Sequence, residues 1–396
     1  MADLDAYLDV LRTSHPNLHH TTSQARFEVE VARMRKRIET GTTAERIVAI
    51  ARVAALVGDG HTWMPLYRIP VKGAPAGPGF AVIPVRLASF SDGLFVVGVG
   101  DGHAELLGQR VRRIGDVDTE EAVRRVLTLL PTDATNFSYS LVDEWLLLAD
   151  VLRALDIAGT GPIALETDGG GRAQLDAAPP REDFDWIGSI DTPAAEIDSW
   201  RVARVGSPPL FRREPDRALR VTDLGGVVYA QIRQIGDQGD LTFAAFAGDL
   251  AARLGAMDTP RLVLDLRLCP GGDGSLNHHL IDALAGVDFA QDHLTVLIGN
   301  GTHSAAIMLL SELERRTPAR FVGAPAADRP NHYGETNIFV LPNSLLPVLH
   351  ASEYYETGGE GDDRRAHAPQ VAVAPSFDDY ASGRDPVLAA ALETMQ

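Results

Sequence analysis

Three short segments carry residue types suited to acyl transfer. In Gly299-Asn300-Gly301-Thr302-His303-Ser304-Ala305-Ala306 an apolar run ends, small residues follow, and a helix is predicted to begin at Ser304. A serine there sits at the positive end of a helix. Amide donors at that end suit the oxyanion of a tetrahedral intermediate, although the same position also suits a plain helix cap. Leu264-Asp265-Leu266-Arg267-Leu268-Cys269-Pro270-Gly271-Gly272-Asp273-Gly274 ends a second apolar run in a glycine turn. Glycines let backbone amides approach an anion closely, and a tight turn closed by an Asp265–Arg267 contact needs the same residues. His61, in Gly58-Asp59-Gly60-His61-Thr62, is either an ordinary loop residue or a base for a serine hydroxyl.

The elements that must position these residues fall into two patterns. Up to about residue 217 the chain mixes helices and short strands. Thr42-Thr43-Ala44-Glu45 has capping-box spacing. Ile47, Ile50, Ala51 and Ala54 then mark one buried helix face ending at Gly58. Lys72 to Gly79 reads as a linker, Phe80 to Val99 as strands, Thr119 to Leu130 as a helix and Leu141 to Leu155 as a second one. From about residue 218 strands and helices alternate. Val227–Ile232 reads as a strand, and Arg261–Leu266 and Leu294–Ile298 are apolar runs expected of strands buried on both faces. Phe243–Leu254 and Ala305–Arg316 have helical periodicity. Such alternation is an α/β layer arrangement.

Composition narrows the function classes. The 396 residues correspond to two or three domains at roughly 150 residues each. With 36 Lys+Arg against 54 Asp+Glu the net charge is −18, which argues against nucleic-acid or anionic-membrane partners. One cysteine, Cys269, excludes an intrachain disulfide. No window reaches the ~18 consecutive apolar residues of a membrane span, and the acidic start Met1-Ala2-Asp3-Leu4-Asp5 is unlike a signal peptide. A cytoplasmic location is therefore expected. No histidine–carboxylate spacing suggests a zinc site, and no glycine loop fits a dinucleotide, so neither metal nor cofactor is expected.

Taken together, the segments resemble the tail-specific (C-terminal processing) serine peptidases of the tricorn-core type. Asp265 to Gly272 matches that family's Asp-Leu-Arg-x-Asn-x-Gly-Gly strand end, with Cys269 in place of the asparagine. Thr302 to Ala305 matches its Thr-x-Ser-Ala nucleophile turn, and Asp59 to Thr62 its Asp-Gly-His-Thr loop. His15-Pro16-Asn17-Leu18, Leu341-Pro342-Asn343-Ser344 and Tyr380 to Pro386 also fit, so the likeness spans nearly the whole chain.

The resemblance implies a ClpP/crotonase-like α/β core over 218–396. It also implies an N-terminal helical region over 1–70, a PDZ-like module over 71–165 and a β-rich connection over 166–217. It implies Ser304 as nucleophile, the amides of Gly271 and Ala305 as oxyanion donors, and a peptide or protein-tail substrate. Gly77, Gly79 and Phe80 would stand in the PDZ-like module's peptide-binding loop. Such peptidases use either a Ser–Lys dyad or a Ser–His centre. The chain has only two lysines, Lys36 and Lys72, and neither follows Ser304, which selects His61 as general base. The acid behind it would be Asp362 or Asp363. Gly60 stands where the tricorn-type site has a polar residue. Two other functions fit the same scaffold: an inactive ligand- or peptide-binding protein, and a hydrolase of small esters or amides.

Overall fold

The computed structural model describes residues 1–66, 78–100, 102–132, 135–179 and 200–395. The chain divides into two compact units, Met1–Val205 with Tyr333–Tyr354, and Gly206–His332 with Tyr355–Gln396. The fold is mixed α/β, as the alternation of patterns implies.

Unit 1 opens with three helices, α1 (Ala2–Ser14), α2 (Gln24–Thr40) and α3 (Thr43–Ala55). The capping box at α3 forms: Glu45 N donates to Thr42 Oγ1 at 3.3 Å, and Thr42 N donates to Glu45 Oε2 at 2.7 Å. Strands β1 (Val85–Phe90), β2 (Gly93–Val99), β3 (Val111–Ile114) and β4 (Val117–Asp118) follow. Then come α4 (Thr119–Leu127), α5 (Thr135–Trp145), α6 (Ala149–Ala154), β5 (Ile163–Thr167), β6 (Arg172–Leu175) and β7 (Arg201–Val202). They form a β1-β2-β7 sheet and a β4-β3-β5-β6 sheet. One core joins α1–α3 to these strands and to Leu341, Leu346, Val348 and Leu349.

Two helices differ from expectation. The helix expected to reach Leu130 ends at Leu127, because Thr128, Leu129 and Leu130 bond back three residues and tighten the last turn before Pro131. The single helix expected over 141–155 is instead α5 and α6. Between them the backbone pairs sideways: Ile83 N donates to Leu147 O and Ala149 N to Ala81 O. These bonds divert groups that a continuous helix would use internally.

Unit 2 holds the alternating pattern: β8 (Leu219–Asp223), β9 (Val228–Ile232), α7 (Phe243–Gly255), β10 (Leu262–Asp265), α8 (Asn277–Ala285), β11 (Leu294–Ile298), α9 (Ala305–Arg316) and β12 (Arg320–Gly323). The chain then passes into unit 1 along β13 (Asn331–Val340) and returns along β14 (Pro347–Glu356), a two-stranded ribbon. It ends with β15 (Val371–Ala372), α10 (Phe377–Ala381) and α11 (Pro386–Thr394). The sheet order is β15-β12-β11-β10-β9-β8. All neighbours are parallel except β8, which pairs antiparallel to β9. Both faces are covered. Leu262, Leu264, Val296 and Ile298 pack with α7–α9, while Val263 and Leu297 pack with Val387 and Ala391 of α11. This is why these strands read as unbroken apolar runs. Among the described residues, no helix is long and apolar enough to cross a membrane.

Candidate active site

In unit 2 the parallel strands β10 and β11 end side by side, Asp265 opposite Leu297. The turns after them carry the candidate residues. A buried ionic cluster fixes the end of β10. Arg267 Nη2 lies 2.6 Å from Asp265 Oδ2 and its Nη1 lies 2.9 Å from Asp385 Oδ1, while Tyr229 Oη donates to Asp265 at 2.8 Å. Burial opposes the charge on Arg267, but the two carboxylates outweigh it and raise its pKa. Asp385 also caps α11 by accepting from Leu388 N at 3.0 Å, so one side chain ties the C-terminal helix to the turn.

Backbone bonds knit the two turns together. Thr302 Oγ1 donates to Leu266 O at 2.9 Å and accepts from Gly299 N at 3.0 Å. His303 N donates to Cys269 O at 3.0 Å, and Ile235 N donates to Gly271 O at 2.8 Å. Gly271 (φ +111°) and Gly272 (φ +135°) both lie in the region that side chains avoid. A Cβ on Gly271 would stand 2.7 Å from Ser304 Cβ and 3.0 Å from Ala305 N, so the Gly271 backbone lies directly against both. Ala305 is the first residue of α9, and its N–H has no partner within that helix.

Ser304 is half-buried and adopts φ 55°, ψ −125°. That conformation costs about 1–3 kcal/mol for a residue with a side chain. It would suit a cap only if the hydroxyl bonded the helix amides, and the Ser304 side chain makes no such bond.

Cys269 is fully buried and its thiol is pushed up to about 12 by burial. It is no nucleophile at neutral pH. The turn is held where an asparagine would stand by main-chain bonds: Cys269 N to Leu266 O, and Cys269 O from His303 N. His303 is held neutral, its pKa brought down to about 3 by burial and by the nearby His332.

Asp362 and Asp363 lie in the loop before β15. Both oxygens of Asp362 accept from the Arg364 guanidinium, which also grips Glu314 of α9. Asp363 is exposed, and its backbone carbonyl accepts from Arg329.

In unit 1, His61 is buried in the loop after α3. Asp59 organises this loop: its Oδ1 accepts from His61 N at 3.0 Å and its Oδ2 from His15 Nε2 at 3.0 Å. His15 Nδ1 accepts from Asn17 N at 3.1 Å, which leaves the ring proton on Nε2, facing Asp59. Burial works to raise the Asp59 pKa, but the hydrogen bond from His15 and the neighbouring histidines prevail and lower it. Thr62 Oγ1 accepts from Ala351 N of β14 at 3.0 Å, and Leu349 N donates to Trp63 O at 2.9 Å. The ribbon strand thus pins both sides of the loop. Tyr333 on β13 packs in a tilted arrangement against His20, with ring centroids 4.3 Å apart, and against His15 at 5.0 Å.

The His15-Pro16-Asn17-Leu18 segment, a family match in the sequence, thus supplies the partner of Asp59, a role that residue type and spacing alone do not show. Of the expected peptide-binding loop, Gly77 lies outside the described residues. Gly79 is exposed and Phe80 is buried. The next amide, Ala81 N, donates to Asp150 Oδ2 at 2.7 Å, and Val82 is bridged to both Ala178 and Leu148. The backbone directly after Phe80 is thus already paired within unit 1.

No family model matches the sequence, and no curated protein matches it. Solved structures do. The structure of mature CPAF complexed with lactacystin is 12% identical, with a TM-score of 0.64 over 96% of this chain and 94% of that one. Mature CPAF in another crystal structure gives 12% identity and a TM-score of 0.60 over 96% and 93% of the two chains. At this identity the likeness establishes a shared fold along nearly the whole length.

Proposed function

We propose that this protein is a serine peptidase that forms an acyl-enzyme on Ser304. Ser304 Oγ attacks the carbonyl carbon of a peptide bond while His61 takes the hydroxyl proton. The carbonyl oxygen becomes an oxyanion and receives hydrogen bonds from the amides of Gly271 and Ala305. Collapse breaks the C–N bond, and the proton held by His61 passes to the leaving amine. Water, deprotonated by the same imidazole, then releases the acid and restores Ser304. Asp362 and Asp363 are the acids proposed to support the imidazole, tested in turn as Asp362→Asn and Asp363→Asn. A soluble compartment such as the cytoplasm belongs to the same proposal.

One observation carries the reading. Ser304 is held in a strained conformation at the start of α9, its hydroxyl makes no cap bond, and the Gly271 backbone lies against it. A serine kept only to cap a helix needs neither the strain nor the neighbouring positive-φ glycine. The shared fold with mature CPAF supports the same conclusion.

The test is labelling by a fluorophosphonate probe together with hydrolysis of a broad peptide panel. Wild type is expected to label and cleave; Ser304→Ala and His61→Ala are expected to do neither at a measurable rate. Equal labelling of wild type and Ser304→Ala would overturn the assignment. Labelling with hydrolysis of small esters alone would shift the substrate class.

A further inference from the structure

The chain is strongly acidic, with a net charge of −18, yet one cavity within unit 1 is walled by arginine. It has a volume of about 340 Å³ and is lined by Arg33, Arg37, Arg52, Arg124, Arg125 and Asp156, with Thr128 and Leu155 completing the wall. Three helices deliver the five guanidinia. Arg33 and Arg37 stand one turn apart on α2, Arg52 projects from α3, and Arg124 and Arg125 lie in the last turn of α4.

Two of the five have full structural employment. Glu121 takes Arg124 through two hydrogen bonds of 2.6 and 2.5 Å and Arg125 through one of 2.7 Å. Arg125 also donates to the carbonyls of Leu155 and Asp156 just after α6. The other three are weakly held. Arg33 reaches Glu30 at 3.4 Å, and Arg37 reaches the exposed Asp156 at 3.8 Å. Arg52 is half-buried and has no hydrogen bond or ion pair among the described residues. Burial and the like charges of Arg33 and Arg37 both work against its protonated form, with only Glu30 opposing them. Five cations therefore line one concavity together with a single carboxylate, Asp156, and of the three weakly held arginines Arg52 is the one without a side-chain partner among the described residues.

Like charges gathered in a half-buried hollow repel one another unless an anion shares them. Guanidinium forks match the paired oxygens of phosphate better than any other side chain. The volume falls within the range of small-ligand sites, and the lining is predominantly charged, with Leu155 its one apolar residue. We infer that this cavity is a binding site for a small anion bearing at least two linked phosphate groups, with Arg33, Arg37 and Arg52 as its principal contacts. The site is independent of Ser304 and of any hydrolytic activity.

The experiment is isothermal titration calorimetry of the full chain with inorganic pyrophosphate at constant ionic strength, with citrate as the carboxylate comparator. Saturable one-to-one binding of pyrophosphate is expected, tighter than that of citrate. Arg52→Gln and Arg37→Gln are each expected to weaken it at least tenfold, while Arg26→Gln, on the exposed side of α2, leaves it unchanged. Without ligand, Arg52→Gln is expected to melt at or above the wild-type temperature, because repulsion is relieved. A structural role for Arg52 would instead lower the melting point. Absence of binding at millimolar pyrophosphate, equal binding in Arg52→Gln and Arg37→Gln, or preference for citrate would each overturn the inference.

Discussion

The two units hold their candidate catalytic residues by different means. In unit 2, Ser304 is fixed by main chain: positive-φ glycines, a strained serine, and bonds such as His303 N to Cys269 O and Ile235 N to Gly271 O. In unit 1, His61 is fixed by neighbouring side chains that are themselves held from far away in sequence: Asp59 accepts from the His61 amide and is held by His15, and Thr62 holds β14. A backbone-built site depends on residues that cannot carry a side chain. A site built from buried ionisable groups depends on each partner being present, since removing one strands the other in a poorly solvated place.

This contrast orders the expected effects. The largest belongs to Gly271→Ala. The added Cβ would stand 2.7 Å from Ser304 Cβ at a φ of +111°, so Ser304 or the turn must shift. Probe labelling should slow by about 100-fold or more, in the range reported for loss of one oxyanion donor. Far-UV circular dichroism should stay near wild type. Labelling at the wild-type rate would break the distinction between the units, because side chains would then suffice to hold the nucleophile.

Next comes His15→Ala in unit 1, which leaves the Asp59 carboxylate buried with its His61 amide bond alone. A loss of about 3 kcal/mol in urea unfolding is expected. Asp59→Asn in the same background should recover part of it, and that coupling is the test of the pair. All four tryptophans, at positions 63, 145, 186 and 200, lie within the sequence range of unit 1. Tryptophan fluorescence therefore reports this unit selectively. Purely additive effects of the two substitutions would mean that Asp59 does not depend on His15.

The smallest effect per step is the pH response, and it separates the units. In unit 2, burial brings the His367 pKa down to about 4 and that of His303 to about 3. Unfolded histidine titrates near 6.5. The unfolded state therefore binds more protons below about pH 6.5, and the stability these residues contribute above that pH is lost as pH falls toward their folded values. The slope should be on the order of 1 kcal/mol per pH unit. In unit 1 the lowered Asp59 pKa acts later. Its contribution is present above the unfolded aspartate value of about 3.9 and is lost only below it. His350 of unit 1 is also lowered by burial, but it is one histidine against two in unit 2, so acidification from pH 7 to 5 should loosen unit 2 first, seen by amide exchange in β10 and β11, with a smaller change in tryptophan fluorescence. His367→Gln should flatten the unit 2 slope. A fluorescence change preceding the exchange change would reverse the ranking.

How far the sequence could be read follows from the same physics. Ala305–Arg316 was legible to the residue, because a helix buried on one face carries its period openly. The strands of the parallel sheet were legible because burial on both faces leaves an apolar run. The Asp265–Arg267 contact was legible from their two-residue spacing. The break between α5 and α6 was not, since it comes from lateral pairing with residues 81–83, far away in sequence. The long ribbon of β13 and β14 was missed for a related reason. Only its tertiary pairing makes 331–356 a structural element that pins the His61 loop.

The sequence by itself determined the chemistry on offer. A serine after a strand, a glycine pair after another strand, one histidine in a glycine loop and a shortage of lysine are matters of residue type and short-range spacing. Only the tertiary structure decided that Ser304 does not cap its helix, that Asp59 belongs to His15 as well as to His61, that Asp385 reaches Arg267, and that five arginines of an acidic chain meet in one cavity. The bonds of Asp59 to His15 and of Asp385 to Arg267, and the gathering of the arginines, rest on contacts between residues tens to more than a hundred positions apart. Local propensity carries no record of them, and packing of the finished core selects them.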